Sequence, residues 1–195
     1  MERENQRVLI TKRMLKESLL KILNEKDLEV ISVTELCRDA GVNRATFYRH
    51  YDIPRDLLKE IRQDMYCDLR RHVAMPQNAE DFPMTIEKLC MYINDHREMI
   101  RVLLQSSSDA DFADFMNEVY LELAREYSHM EMLRKLSMED IRLMTLYSTG
   151  GSYFVLRSWV MGSIQKTPKQ MADYVANLLS KTEALLQTLA ERKKA

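Results

Sequence analysis

Arg44, Ala45, Thr46, Tyr48, Arg49 and His50 stand together in one short stretch of this 195-residue chain. An arginine side chain offers two parallel N–H groups that match O6 and N7 of guanine in the DNA major groove. Arg44 opens the stretch and is placed for that contact. Ala45 is small enough for close approach and for contact with a thymine methyl. Thr46, Tyr48 and His50 carry groups that donate to phosphate oxygens, and Arg49 lies off the core-facing side with Arg44, Ala45 and Tyr48. Ser32 and Thr34 stand at the start of a preceding helix, where free amides favour phosphate, which brings both hydroxyls within reach of a phosphate or a base edge. Taken singly, each has a plainer role. An isolated Arg44 or Arg49 is a solvated charge, Tyr48 is half-buried packing, His50 faces solvent, and Ser32 caps a helix. Their coincidence favours contact with DNA.

Such residues need a scaffold, and the surrounding pattern supplies one. Val8, Leu15, Leu19, Ile22 and Leu23, with Leu20 alongside, predict an amphipathic helix over about Arg7 to Glu25. Ser32 followed by Glu35 predicts a capping box opening a second, short helix, and Gly41 its left-handed stop. Asn43 predicts the N-cap of a third helix over Arg44 to Tyr51. Its Phe47 and Tyr51, four apart, face Leu36, Cys37, Ala40 and the first helix. Two short helices around a Gly-containing turn make a helix-turn-helix pattern. Pro54 suits the first turn of a fourth helix running to about Val73. A loop is expected over Met75 to Pro83. Beyond it the pattern is helical, with breaks near Ser106, Ser137 and Gly162. Ser137 with Asp140, and Thr167-Pro168 with Gln170, predict capped helix starts.

Four Gly and four Pro are too few for the turns of a β-sandwich, so the fold class expected is all-α. Residues 1–62 carry a net charge of +2 and residues 63–195 a net −3, a mild asymmetry that solvated helix faces also produce. The three cysteines give no CxxC pair and no disulfide framework, which fits a reducing cytoplasm. No apolar run reaches the roughly 18 residues of a membrane span, and the polar N-terminus reads as no secretory signal. An enzyme is not expected, for there is no nucleophile elbow, phosphate loop or HExxH. His72, His96 and His129 lack metal-ligand spacing, so no metal or cofactor is expected. Asp109, Asp111 and Asp114 read as capping near a helix start.

The run from Val33-Thr34-Glu35-Leu36 through Ala40-Gly41-Val42-Asn43-Arg44-Ala45-Thr46-Phe47-Tyr48-Arg49-His50-Tyr51 to Asp56-Leu57-Leu58 resembles the DNA-binding signature of the TetR family of bacterial repressors. The resemblance spans about residues 8–61. It implies a three-helix helix-turn-helix DNA-binding domain over residues 1–55, a connecting fourth helix at about 54–73, and a larger helical effector-binding and dimerisation domain over 56–195. Under it the DNA-contacting residues are Ser32, Thr34, Asn43, Arg44, Ala45, Thr46, Tyr48, Arg49, His50 and Arg55. One position departs. Many members carry a Lys at the start of the fourth helix that contacts phosphate, where this chain has Pro54, with Arg55 beside it as the substitute.

The resemblance also implies a homodimer formed by the last two long helices, binding a palindromic operator in double-stranded DNA. Tyr147, Gly151, Phe154, Val155 and Ser158, with Gly150, would form one side of the interface. Tyr174, Leu178 and Leu185 would form the other, and the alternative is that these stripes pack only within the monomer. Members of the family often bind a small effector, here apolar or amphipathic. Met84, Met91, Met99, Met116, Met130, Met132, Met138 and Met144 suit an adaptable cavity or simply fill the core. Tyr92, Phe112, Phe115, Tyr120 and Tyr127 are equally open. The function expected is a homodimeric cytoplasmic repressor released by that effector. The alternatives are a DNA-binding regulator without a small-molecule effector, protein-controlled or an activator, and a helical interaction module that does not bind DNA.

Overall fold

The computed structural model describes residues 2–73, 81–106 and 137–192. Within these, the side chains at 2–5, 138, 141, 144, 145, 149 and 182–192, Leu185 among them, are not described. Asp109, Phe112, Asp111, Asp114, Phe115, Met116, Tyr120, Tyr127, His129, Met130 and Met132 lie outside the described residues, as do the side chains of Met138 and Met144. Every described element is helical, as the turn-poor composition predicts. The chain divides into two compact units, residues 1–71 and 72–195.

The first unit holds α1 (Glu2–Leu23), a 3-10 turn (Leu28–Val30), α2 (Val33–Ala40), α3 (Arg44–Tyr48) and α4 (Pro54–His72). α1 begins earlier than its apolar pattern suggests and ends at Leu23. Leu15, Leu19, Ile22 and Leu23 are buried, as their spacing predicts. Ser18 is buried on the same face. Its hydroxyl donates to the Leu36 carbonyl at 3.3 Å and to Asp39 at 2.8 Å, so the polar group is satisfied while it ties α1 to α2. Leu36, Cys37 and Ala40 from α2, Phe47 from α3, and Leu57, Leu58 and Ile61 from α4 complete this core.

Local chemistry sets the joints. The Ser32 hydroxyl accepts from the Glu35 amide at 3.1 Å. The second half of the expected capping box does not form, because the Glu35 carboxylate pairs with Lys26 at 2.5 Å instead. Gly41 closes α2 with φ 65°, a left-handed conformation that costs other residues free energy. Asn43 accepts from the Ala45 amide at 2.8 Å and opens α3. α3 stops at Tyr48 rather than Tyr51, because the His50 and Tyr51 amides both donate to the Phe47 carbonyl at 2.9 Å and close a turn there.

The second unit contains α5 (Phe82–Asp95), α6 (Arg97–Gln105), α7 (Met138–Val160) and α8 (Pro168–Arg192). The loop expected up to Pro83 ends sooner. α5 already begins at Phe82, with Pro83 in the first turn, where its missing N–H costs nothing. Both predicted caps form. Ser137 and Asp140 make a full capping box on α7. Thr167 and Gln170 exchange side-chain and backbone bonds at 3.1 and 3.2 Å on α8. Trp159 sits at the centre of the core with Ile86, Cys90, Met171, Ala172, Val175 and Ala176. Its indole N–H donates to the Lys166 carbonyl at 2.8 Å, which fixes the turn between α7 and α8. Arg97 donates to the Trp159 carbonyl and lies 5.3 Å over its ring. A cation at the last turn of α7 complements the negative end of that helix.

Trp159 is 1% exposed, so no rearrangement short of collapse fills its place. Trp159→Ala is expected to remove roughly 3–5 kcal/mol of stability. Urea unfolding followed by circular dichroism measures this, and a loss below about 1 kcal/mol would remove Trp159 from its central role.

Candidate nucleic-acid interface

α3 has five residues and depends on its neighbours for its position. Phe47 is fully buried and supplies the anchor. Tyr48 meets it edge-on at 5.6 Å, and Tyr51 lies tilted at 5.5 Å. With Phe47 turned inward, Arg44, Ala45, Tyr48 and Arg49 are exposed, Tyr48 to 57%. Thr46 and His50 are half-buried, and His50 packs 6.2 Å from the Tyr51 ring. Ser32 and Thr34 are exposed at the start of α2. The Ser32 hydroxyl and the Asn43 side chain are both engaged as helix caps. Arg44 Nη1 donates to Thr34 Oγ1 at 3.4 Å, so α2 and α3 meet at these two side chains.

Charge is sorted around this surface. Residues 41–51 contain no Asp or Glu. Lys21 pairs with Asp39 at 2.6 Å, Lys26 with Glu35 at 2.5 Å, and Arg55 with Glu29 at 3.0 Å. Arg44 and Arg49 have no carboxylate partner among the described residues. Arg55, expected to reach phosphate in place of a Lys at position 54, already has a counter-charge in the turn before α2. The Asp56 of the Asp-Leu-Leu motif accepts from the Asp52 and Ile53 amides at 3.3 and 3.2 Å, fastening the chain as it enters α4.

The residue missed by sequence reasoning is Glu60. Its carboxylate accepts from Lys12 at 2.9 Å, Lys16 at 2.7 Å and the Tyr51 hydroxyl at 2.9 Å. Lys16 also reaches Asp64 at 2.5 Å, and Lys12 lies 5.4 Å over the Tyr51 ring. α1, α4 and the end of the α3 turn are joined at one carboxylate. Burial pushes the Glu60 carboxyl upward. Hydrogen bonds from Lys16, Lys12 and Tyr51, and the charge of Lys16, outweigh it and bring it down to about 2. Burial and the Glu60 bond both hold the Tyr51 hydroxyl above its ordinary range. Lys12 and Lys16 share the spacing of Glu60 and Asp64, but the pairs lie 48 positions apart, so nothing local in the sequence matches them.

On α7, Leu143, Leu146, Tyr147, Gly151 and Phe154 are exposed, and on α8 so are Tyr174 and Leu178. Lys166 lies 5.2 Å over the Tyr174 ring. Of the residues expected at a dimer interface, Ser158 is half-buried and Val155 packs against the unit's own core. A side chain added at Gly150 or Gly151 would meet nothing within 4 Å. Among the described residues no group of His, Cys, Asp or Glu could hold a metal ion, and no helix is long and apolar enough to cross a membrane.

A buried-core helix-turn-helix followed by a long helical unit is the architecture of HTH-type transcriptional regulators, and comparison with known proteins agrees. Residues 80–181 match the TetR-type family described as transcriptional regulator C-terminal region. The chain belongs to the TetR family of transcriptional regulators. It is 26% identical over 120 residues to the uncharacterized HTH-type transcriptional regulator YxbF of Bacillus subtilis (strain 168). That match takes in 60% of this chain and 29% of the length of YxbF. Two solved structures share the fold. A TetR transcriptional regulator from Streptococcus agalactiae 2603V has a TM-score of 0.65 at 18% identity, over 90% of this chain and 97% of that one. The dihydroxyacetone kinase operon activator DhaS has a TM-score of 0.59 at 14% identity, over 91% and 98%.

Glu60 gives the unit a pH signature. The unfolded carboxyl takes up a proton near its ordinary 4.5, whereas the folded one stays ionised to about 2. Its stabilising contribution is therefore complete above pH 4.5 and is lost as pH falls through this window. Glu60→Gln is expected to lower stability at neutral pH and to flatten the loss between about pH 4.5 and 2. Urea midpoints at stepped pH measure it, and unchanged curves would mean the ion pairs contribute nothing.

Proposed function

We propose that this TetR-family protein is a homodimeric, cytoplasmic repressor that binds a palindromic operator in double-stranded DNA and is released by a small apolar or amphipathic effector. DNA reading falls to residues 1–55, with α4 leading into the effector-binding and dimerisation part over 56–195. The reading rests on one observation. Arg44, which opens α3, and Arg49, which caps it, stand exposed with no carboxylate partner among the described residues, while Phe47 is buried on the opposite side of the helix. Free cations on a rigid, protruding helix suit a groove lined by phosphates and acceptor-rich base edges.

Dimerisation has its own support. Glycine inside a helix costs about 0.5–1 kcal/mol relative to alanine. Among the described residues nothing crowds Gly150 or Gly151, so the described part of the monomer gives no reason to keep them. Close approach of a second helix gives one, and the exposed Tyr147 and Phe154 on either side supply apolar area to bury. The effector reading rests on the family resemblance. It requires the effector to bind more tightly to a dimer whose recognition helices are wrongly spaced for the operator. The direction of control is read from a reporter promoter carrying the operator. Repression without effector is expected, whereas activation would parallel the neighbour named as an operon activator.

Selection from a random duplex pool at fixed salt is expected to enrich a palindrome with half-sites about one helical turn, or a multiple of it, apart. Arg44→Ala should weaken binding to that site by roughly 1–3 kcal/mol and relax preference at one base per half-site, with the fold intact. Normal binding by the variant would take base reading away from Arg44.

Gly151→Gln should convert dimer to monomer in sedimentation velocity while preserving or raising helical content. A variant that stays dimeric would move the interface elsewhere, and a wild type already monomeric would overturn the dimer.

A further inference from the structure

We infer that Thr34 is a positioning residue for Arg44, holding its guanidinium against α2 so that sequence preference, rather than bare affinity, depends on the threonine hydroxyl. The inference rests on the DNA-binding reading proposed above and says how that site becomes selective. Arg44 opens the recognition helix and is exposed, with no carboxylate among the described residues to fix it. A free arginine there would sample many rotamers, and ordering them on binding DNA weakens the contact. The structure offers one restraint, the 3.4 Å bond from Arg44 Nη1 to Thr34 Oγ1. With the guanidinium held there, its positive charge opposes the rise that burial gives the Cys37 thiol on the same helix.

Geometry and donor count make the arrangement workable. A guanidinium has five N–H donors in a planar fork. One directed at Thr34 leaves enough to donate in parallel to O6 and N7 of a guanine. The Thr34 hydroxyl accepts here and is not itself fixed as a donor to phosphate. At 3.4 Å the bond is long, so it narrows the range of Arg44 without locking it away from a base. Threonine suits the role, being β-branched and stiff about its first side-chain torsion. A carboxylate at the same position would bind the arginine more strongly but would cancel its charge and repel the phosphates.

The test compares Thr34→Val, nearly isosteric but without the hydroxyl, with Thr34→Ser, which keeps it, in the full chain. Each is read against the duplex selected by the wild type and against duplexes with single base changes. Thr34→Val is expected to cut discrimination about three- to tenfold at the base position that Arg44→Ala relaxes, and at no other. Thr34→Ser should retain most of the discrimination. In an Arg44→Ala background Thr34→Val should do nothing further. The inference is overturned if Thr34→Val weakens all sequences equally and does so without Arg44, since Thr34 would then be a phosphate contact. It is also overturned if Thr34→Ser behaves like Thr34→Val, or if neither changes preference. A wild type that enriches no duplex removes the DNA-binding reading and this inference together, whereas wild-type enrichment with additive variants removes the inference alone.

Discussion

Helix formation begins with an unfavourable nucleus, and a helix of fewer than about a dozen residues is marginal in water. α3 has five residues. It exists because Phe47 is fully buried, and because Asn43 and the turn at His50 close its two ends. The exposed residues inherit their direction from that single ring. With Phe47 turned inward, helical geometry leaves Arg44, Tyr48 and Arg49 no way to point but outward. Tyr51 extends the hold beyond the helix, since its hydroxyl reaches the carboxylate that also gathers Lys12 and Lys16.

That carboxylate explains why a nearly neutral chain can present a cationic surface. Lysines and acids are abundant in the first unit but neutralise one another. Lys12 and Lys16 face Glu60 and Asp64, Lys21 faces Asp39, and Lys26 faces Glu35. Most such pairs are exposed and each contributes about 0–1 kcal/mol to stability. Their larger effect is on the field. They leave Arg44 and Arg49 uncompensated while the segment around them contains no acid. Net charge of −1 is thus a poor guide to partners, because what a groove meets is the local sum within a Debye length of about 8–10 Å.

The parts of this structure legible in the sequence are those decided within four residues. The Ser32, Asn43, Ser137 and Thr167 caps and the Gly41 stop are local chemistry, and each appears where its residue type requires it. The Glu60 hub was not legible, because Lys12 and Glu60 are 48 positions apart and become partners only once α1 lies along α4. The end of α3 was obscured because Phe47 and Tyr51 share a face whether the chain between them is helix or turn. α7 defeats periodicity for another reason. Leu143, Leu146, Tyr147 and Phe154 are exposed while Tyr153 and Trp159 are buried, so apolar residues ring the helix and no single face announces itself. Val155, expected outward, faces the core for that reason.

The exposed apolar face of α7 and the smallness of the reading head answer one another. One recognition helix of this length brings three or four side chains to bases, and a good bidentate contact discriminates by about 1–3 kcal/mol. Finding one site among about a million competitors takes a factor of a million, roughly 8 kcal/mol. At about 2 kcal/mol each, three such contacts sum to about 6 kcal/mol, short of that, and two heads held at a fixed spacing reach it, because their contributions add when both engage at once. The spacing must be fixed by a surface away from the DNA, large enough to be stable and apolar enough to form in water. Tyr147, Phe154, Tyr174 and Leu178 are exposed in the second unit, with unpacked glycines beside the first two. In the proposed dimer the apolar exposure and the short recognition helix serve one requirement: a small head gains selectivity when a second copy is held beside it.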